Sequence, residues 1–345
     1  MREFISNFQI PAGLSATTLA TSSGRDLQLV LSESPGPYEA MFVEATAITD
    51  SIGAVVVDYL RGSGTLIDVG ANIGTIALPV AMSGSNTVAI EMMASNVMKL
   101  RASVLLNRLG NVRVIQAAAS DQDKMVTYGG EEAWGNIGAG TKEAVAGTLD
   151  SLCALVELGE PGFINSPVFL KLDVETHEPQ VMKGSADFIS AFRPHIIFES
   201  IDVDDGRGNV ADLTKSIITE MGYSLFLMCP YNVIMKAEIE EIQVGLVSDY
   251  LAVPNEQCHN AAENFPNFFF RRLRDDEIIQ WLIHDVETYD EHRVHVLKYL
   301  KNRFRETRPS SSYVPVLEAL VSHENFAGKS EAELLLSASL STIKT

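Results

Sequence analysis

Leu66-Ile-Asp-Val-Gly-Ala-Asn-Ile-Gly74 is a short apolar run that stops in a glycine turn and opens a segment of helical character. That order marks the start of a βα unit, and glycines in such a turn let backbone come close to a ligand. A dinucleotide fingerprint would read Gly-x-Gly-x-x-Gly, but Asn72 and Thr75 stand where its second and third glycines belong. Asp68 is more telling, because a carboxylate two residues before Gly70 repels a pyrophosphate and suits a cation. S-adenosylmethionine carries an ammonium group and a sulfonium centre, so the Asp-x-Gly-x-x-x-Gly form favours this cofactor.

On either side of this run, short apolar stretches alternate with helical-period segments, the pattern of a parallel sheet built from βαβ units. Strands are predicted at Thr65–Val69, Thr87–Glu91, Val112–Gln116, Val168–Asp173, His195–Glu199, Ser224–Cys229 and Asp249–Val253. Their runs are continuous rather than alternating, which suits strands buried on both faces. Helices are predicted at Gly74–Met82, Ser95–Leu109, Thr148–Leu158, Pro179–Phe192 and Ala211–Met221. Pro79 would then fall inside the first helix and disturb it. The expected fold is α/β: a doubly wound, seven-stranded, mostly parallel sheet of Rossmann-like class, with one antiparallel strand at an edge.

Three regions follow along the chain. Residues 1–60 form a lead-in, with a strand at Asp26–Leu31, a breaker at Ser34-Pro-Gly-Pro37 and a mostly helical stretch Ala40–Leu60. Residues 61–254 carry the sheet. Residues 255–345 are expected as a helical extension, with periodic apolar positions over 275–305 and a last helix at Ala332–Leu340.

Composition narrows the function. The 345 residues are 46% hydrophobic and 21% charged, as in a folded globular chain. A formal charge of −19 repels phosphate backbones, so nucleic acid is not an expected partner. Most of that charge lies before residue 271, where 15 basic side chains face 33 acidic ones. Cys153, Cys229 and Cys258 are widely spaced, with no C-x-x-C pair, so neither a disulfide framework nor a zinc site is expected. No metal site is read from the sequence. With no apolar N-terminal leader and no run long enough for a membrane span, a cytoplasmic protein without a membrane segment is expected.

Glu91 ends the second sheet strand, where an acid can accept hydrogen bonds from both hydroxyls of an adenosine ribose. Taken with Asp68 and the glycines, it points to an adenosine-containing cofactor. A further run, Phe169-Leu-Lys-Leu-Asp-Val-Glu-Thr-His-Glu178, follows the fourth strand.

With these runs the chain resembles the FkbM family of S-adenosylmethionine-dependent methyltransferases. The resemblance spans roughly residues 24–254 and rests on Asp68-Val-Gly-Ala-Asn-Ile-Gly74, Glu91 with Asn96, Asn107, Ala118-Ala-Ser-Asp121, Thr148-Leu-Asp-Ser-Leu152, Lys171-Leu-Asp-Val-Glu175, Arg193-Pro194, Phe198-Glu199 and Tyr250-Leu-Ala-Val-Pro254. It implies a seven-stranded methyltransferase fold and methyl transfer to a hydroxyl of a sugar, glycan or glycan-like small molecule. It also implies that Asp68, Gly70, Ala71, Asn72 and Gly74 surround the methionine moiety of S-adenosylmethionine, with Glu91 on the ribose. Met92, Ala118, Ala119 and Ser120 would then lie beside the adenine. Two departures stand out: Thr176-His177 replaces the Gly-Ala common between the two glutamates, and Met92 replaces a common Pro.

Methyl transfer to a hydroxyl needs alignment and a group that accepts the hydroxyl proton. Asp173, Glu175 and His177 are the catalytic candidates, Asp173 foremost, with capping of the next helix as the structural role open to Glu175 and Glu178. The glycine-rich Gly129–Gly140 run contains Trp134 and Asn136 and would form a loop able to contact substrate, or else a plain surface connection. The acidic Asp202–Gly208 run lacks calcium-loop spacing and reads as solvated. Phe268-Phe-Phe-Arg-Arg272 and Trp281 could engage a partner, or pack the extension on the sheet domain or on a second copy as a homodimer. The competing readings are an NAD-dependent oxidoreductase, disfavoured by Asp68, Asn72 and Thr75, and a non-catalytic cofactor-binding scaffold.

Overall fold

The computed structural model describes residues 9–48, 51–130, 135–138, 140–201, 203, 208–230, 232–236, 247–271, 274–288, 292–306, 311–323 and 325–341. Its centre is a nine-stranded sheet ordered β5-β4-β3-β10-β11-β14-β12-β13-β15. These strands are β3 (Thr65–Val69), β4 (Asn86–Glu91), β5 (Val112–Gln116), β10 (Val168–Leu172), β11 (His195–Ile201), β12 (Tyr223–Cys229), β13 (Val233–Lys236), β14 (Val247–Pro254) and β15 (Phe269–Phe270). Every residue of β3 and β10 is buried, as continuous apolar runs in the middle of a covered sheet require.

All seven expected strands are present within a residue or two of their predicted bounds, and β13 and β15 extend the sheet beyond them. Not one but three strands run against the others: β14 inside the sheet, and β13 with β15 at its edge. β14 lies between β11 and β12 and pairs antiparallel with both. Its Tyr250-Leu-Ala-Val run is accordingly buried throughout, as an interior position demands. β15 pairs in parallel with β13, so a piece of the C-terminal extension completes the sheet.

Before the sheet, β1 (Leu14–Ala20) and β2 (Asp26–Ser32) form an antiparallel hairpin. Only β2 was expected. The lead-in then divides into α1 (Pro37–Val43), with Pro37 in its first turn, and α2 (Ser51–Leu60). After β3 comes α3 (Ala77–Met82), which begins three residues later than predicted. Pro79 therefore sits in the first turn, where a helix has no intrahelical partner for its N–H, and no kink arises.

Next come α4 (Ala94–Leu106), a second sheet formed by β6 (Ala118–Ala119), β7 (Lys124–Gly129), β8 (Asn136–Ile137) and β9 (Lys142–Gly147), and α5 (Leu149–Gly159). Thr148 caps α5 through its hydroxyl, which accepts from Ser151 N at 3.1 Å. The predicted helix over Pro179–Phe192 is two helices, α6 (Glu178–Lys183) and α7 (Ala186–Phe192). Gly184 marks the break, and a Cβ there would lie 2.0 Å from the Ser120 carbonyl oxygen.

α8 (Val210–Glu220) leads into β12. The extension contributes α9 (Ala261–Asn264), α10 (Asp275–Thr288), α11 (His292–Glu306), α12 (Val314–Ser322) and α13 (Lys329–Ser341). Leu282, Val286, Leu297, Leu300, Val316, Leu317 and Leu320 make a core of their own there. Ala261, Phe265 and Phe268 instead pack with Ile197, Phe226 and Leu251 of the central sheet. Trp281 touches both the sheet core and the extension core. Among the described residues, no helix is long and apolar enough to cross a membrane.

Candidate active site

β3 and β10 are neighbours, and the chain leaves them toward opposite sides of the sheet. At such a switch point the loops beyond the strands part and leave a crevice. A cavity of about 310 Å³ occupies it. Asp68, Gly70, Ala71 and Asn72 line it from β3, Glu91 and Met92 from β4, Ala118 and Ala119 from β6, and Asp173 and Glu175 from the end of β10. These ten predicted site residues converge although up to 107 positions separate them in the chain.

The glycine turn is shaped by close contact. Gly70 has φ +78°, and a Cβ there would lie 1.7 Å from the Asp173 carbonyl oxygen, so only glycine allows β3 and β10 to meet at this point. Gly74 has a different task from the expected one. It does not line the cavity, and its bare Cα makes room for Leu100 and Leu78.

Glu91 is buried, and both its oxygens are engaged: Oε2 accepts from Asn72 N at 2.9 Å and Oε1 from Met93 N at 2.7 Å. It thus pins the glycine turn to the end of β4 while retaining free lone pairs toward the cavity. Burial pushes its carboxyl up, against those two hydrogen bonds. Asn72 adopts φ +51°, and its Oδ1 is buried without a hydrogen-bond partner among the described residues. A donor from a bound ligand would satisfy that oxygen. An acidic rim, a buried acceptor in want of a donor and a glycine cradle fit S-adenosylmethionine.

Lys171 stands opposite Asp68 in the β3–β10 register. Its buried ammonium lies 3.3 Å from Asp68 Oδ1 and 3.2 Å from Asp173 Oδ2, and donates to the Gly70 carbonyl at 3.0 Å. Across the crevice, Glu199 projects from β11, in register with Asp249 of β14. Oxygens of Asp173, Glu175 and Glu199 lie within 4.8 Å of one another, so three carboxyls crowd one end of the crevice. The same spacing would admit a small cation, but acidic side chains alone do not assign one. Burial, then Asp173, pushes Glu175 up to about 7, and burial with the neighbouring Asp173 and Glu175 pushes Glu199 up to about 10.

Besides Gly74, two predicted residues lie off the cavity. His177 sits just before α6, and its Nε2 pairs with Ser120 Oγ at 3.0 Å. Neither residue lines the crevice. The His177 ring therefore pairs with Ser120 away from the lining that holds Asp173 and Glu175. Trp134 and the side chain of Asn136 lie outside the described residues. Their neighbours Gly135 and Ile137 do line the cavity, and a Cβ on Gly135 would come within 2.8 Å of Met92 Cε. The run Asp202–Gly208 falls largely outside the described residues.

Tyr38, Thr75, Lys171 and Glu199 were given no role in the sequence reading. Tyr38 comes from α1, and its hydroxyl is 3.2 Å from Thr75 Oγ1 at the cavity wall. Glu39, beside it, forms a buried ion pair with Lys99 of α4, which anchors the lead-in over the crevice. Glu199 was legible as an acid at a strand end, like Glu91. Tyr38 had no signal, since nothing in the sequence tells where the lead-in lies.

Comparison with protein families matches residues 68–225 to the methyltransferase FkbM domain. This segment is similar to an FkbM methyltransferase domain. It includes the glycine turn with Asp68, Glu91, Asp173, Glu175 and Glu199. Comparison with curated proteins finds no match. Among solved structures, methyltransferase FkbM from Methylobacillus flagellatus KT is 17% identical with a TM-score of 0.35. The alignment covers 57% of this chain and 47% of that one, so this chain spans about half its length. A precorrin-6y C5,15-methyltransferase from Geobacter metallireducens GS-15 is 11% identical, with a TM-score of 0.36 and coverage of 61% and 89%. The 16S rRNA N2 G1207 methyltransferase of T. thermophilus, solved with AdoMet and guanosine, is also 11% identical, with a TM-score of 0.35 and coverage of 72% and 52%.

Proposed function

We propose that the protein is an S-adenosylmethionine-dependent O-methyltransferase acting on a hydroxyl of a sugar, glycan or glycan-like small molecule. The observation that carries this reading is the single crevice running from Glu91 and the glycine turn to Asp173, Glu175 and Glu199 within a segment similar to an FkbM methyltransferase domain. When bound, S-adenosylmethionine supplies an electrophilic methyl group on a sulfonium centre. Asp68 and the turn hold its cationic methionine end, and Glu91 receives the ribose hydroxyls. Met92, Ala118 and Ala119 offer an apolar wall for the adenine.

At the other end, carboxylates orient the acceptor hydroxyl and receive its proton as the oxygen attacks. Asp173 is best suited, being partly exposed on the cavity and held from behind by Lys171. The acidic surroundings disfavour phosphorylated acceptors and nucleic acid. The test is calorimetry with S-adenosylhomocysteine and NAD, followed by transfer of labelled methyl from S-adenosylmethionine to a panel of neutral glycans. Binding of the first ligand alone, with transfer lost in Asp173→Asn, is the expected result. Preference for NAD would reject the assignment, and undiminished transfer by Asp173→Asn would reject the role given to that residue.

A further inference from the structure

We propose that Lys171 is a positioning residue whose single ammonium couples the cofactor end of the crevice to its acceptor end. This rests on the cofactor reading above. An ammonium has three protons, and Lys171 finds three oxygens for them, one each from Asp68, Asp173 and the Gly70 carbonyl. The three belong to different parts of the site. Asp68 meets the cationic cofactor, Gly70 forms the turn beneath it, and Asp173 faces the acceptor.

The register explains why a lysine at this position can do this. Lys171 and Asp68 are direct partners on adjacent parallel strands, so the four-carbon stem runs up the β3–β10 seam to the place where the strands part. Lys171 lies wholly within protein, and its ammonium is kept charged by Asp173 and Asp68 despite the cost of burial. A buried cation between two carboxylates offsets their mutual repulsion only while it stays there.

The lysine matters because of what surrounds it. Asp68 comes from β3, Glu91 from β4, Asp173 and Glu175 from the end of β10, Glu178 from α6, Glu199 from β11 and Asp249 from β14. Against these acids, Lys171 is the one cation lining the cavity among the described residues. Removing its charge would leave the two carboxylates to repel each other with no cation between them, which favours a proton on one of them. A protonated Asp68 no longer attracts the ammonium of the cofactor.

The test is the pH dependence of S-adenosylhomocysteine affinity, measured by calorimetry from pH 6 to 9 on the full chain. Wild type and Lys171→Arg, which keep a cation on the seam, should share one profile. Between pH 9 and pH 6, Lys171→Met should lose about tenfold in affinity, or more, relative to them. Adding Asp173→Asn to Lys171→Met removes one competing acid and should recover part of that loss. A Lys171→Met variant weaker by the same factor at every pH, or unaffected by the second change, would overturn the proposal and leave the cofactor reading standing. Wild-type protein that takes up no ligand at any pH would overturn the cofactor reading itself. Should Lys171→Met fail to fold, the Nζ resonance of 15N-lysine-labelled wild type, assigned by its loss in Lys171→Arg, decides. A shift of that resonance on adding S-adenosylhomocysteine supports the coupling, and an unchanged resonance refutes it.

Discussion

Gly70 concentrates the demands of this site in one residue. Its φ of +78° disfavours any side chain, and the Asp173 carbonyl occupies the place a Cβ would take. Gly70→Ala must therefore push β10 away from β3 and separate Asp68 from Asp173. Loss of S-adenosylhomocysteine binding and a lower Tm are expected. Gly159→Ala is the control, because nothing lies within 4 Å of its Cβ position at the end of α5. That change should leave binding intact and stabilise by a few tenths to about 1 kcal/mol. Glu199 makes the opposite kind of prediction. Its folded carboxyl is held up at about 10, so the folded chain keeps a proton that the unfolded chain releases above its ordinary range. Stability from this group therefore falls as pH rises past about 4.5. Glu199→Gln removes that dependence, and its Tm should exceed wild type at pH 8 by a margin that vanishes near pH 4. A constant difference across that range would contradict the protonated state.

At the scale of elements, the junction of α2, β10, β11 and the extension is built around His195. The ring is fully buried against Tyr59, Phe169 and Phe265, and neither ring nitrogen has a hydrogen-bond partner among the described residues. Burial holds its pKa down at about 3, partly countered by Glu256. The folded state therefore keeps the imidazole neutral while the unfolded chain takes up a proton below its ordinary value. Stability from this group is complete above about pH 6.5 and is lost as pH falls toward the folded value, with about 1.4 kcal/mol gone by pH 5.5. His195→Phe suits the aromatic surroundings. Urea denaturation at pH 7.5 and 5.5 should show wild type losing about that much more than the variant. Equal losses would mean that the ring is protonated in the folded chain.

Seen whole, the molecule was legible wherever one physical signal dominated. The buried strands read clearly because Leu66-Ile-Asp-Val and Val168-Phe-Leu-Lys-Leu are covered on both faces, and the acids at their ends followed from the topology. The second sheet was hidden because β7 and β9 leave alternate residues such as Met125 and Val145 in solvent, and Lys124 and Glu143 mask the period. His177 misled because its neighbours in sequence reach the crevice while its own ring turns back to Ser120. The border at residue 254 was drawn where strand character ends, but packing draws it later. β15 seats Phe269 and Phe270 beside β13, and Phe265 and Phe268 fill the sheet core.

A chain ending at residue 254 would expose Phe226, Ile234 and Leu251 and leave β13 without its neighbour, at about 2–5 kcal/mol for each large buried side chain withdrawn. A chain ending at residue 274 keeps those contacts and gives up the extension's own core, together with the Trp281 contact and the Arg271–Glu277 ion pair. The longer fragment should therefore fold cooperatively, with a reduced Tm, and bind S-adenosylhomocysteine, whereas the shorter one should aggregate or bind a hydrophobic dye. If both fragments behave alike, residues 255–274 belong to the extension and not to the sheet domain.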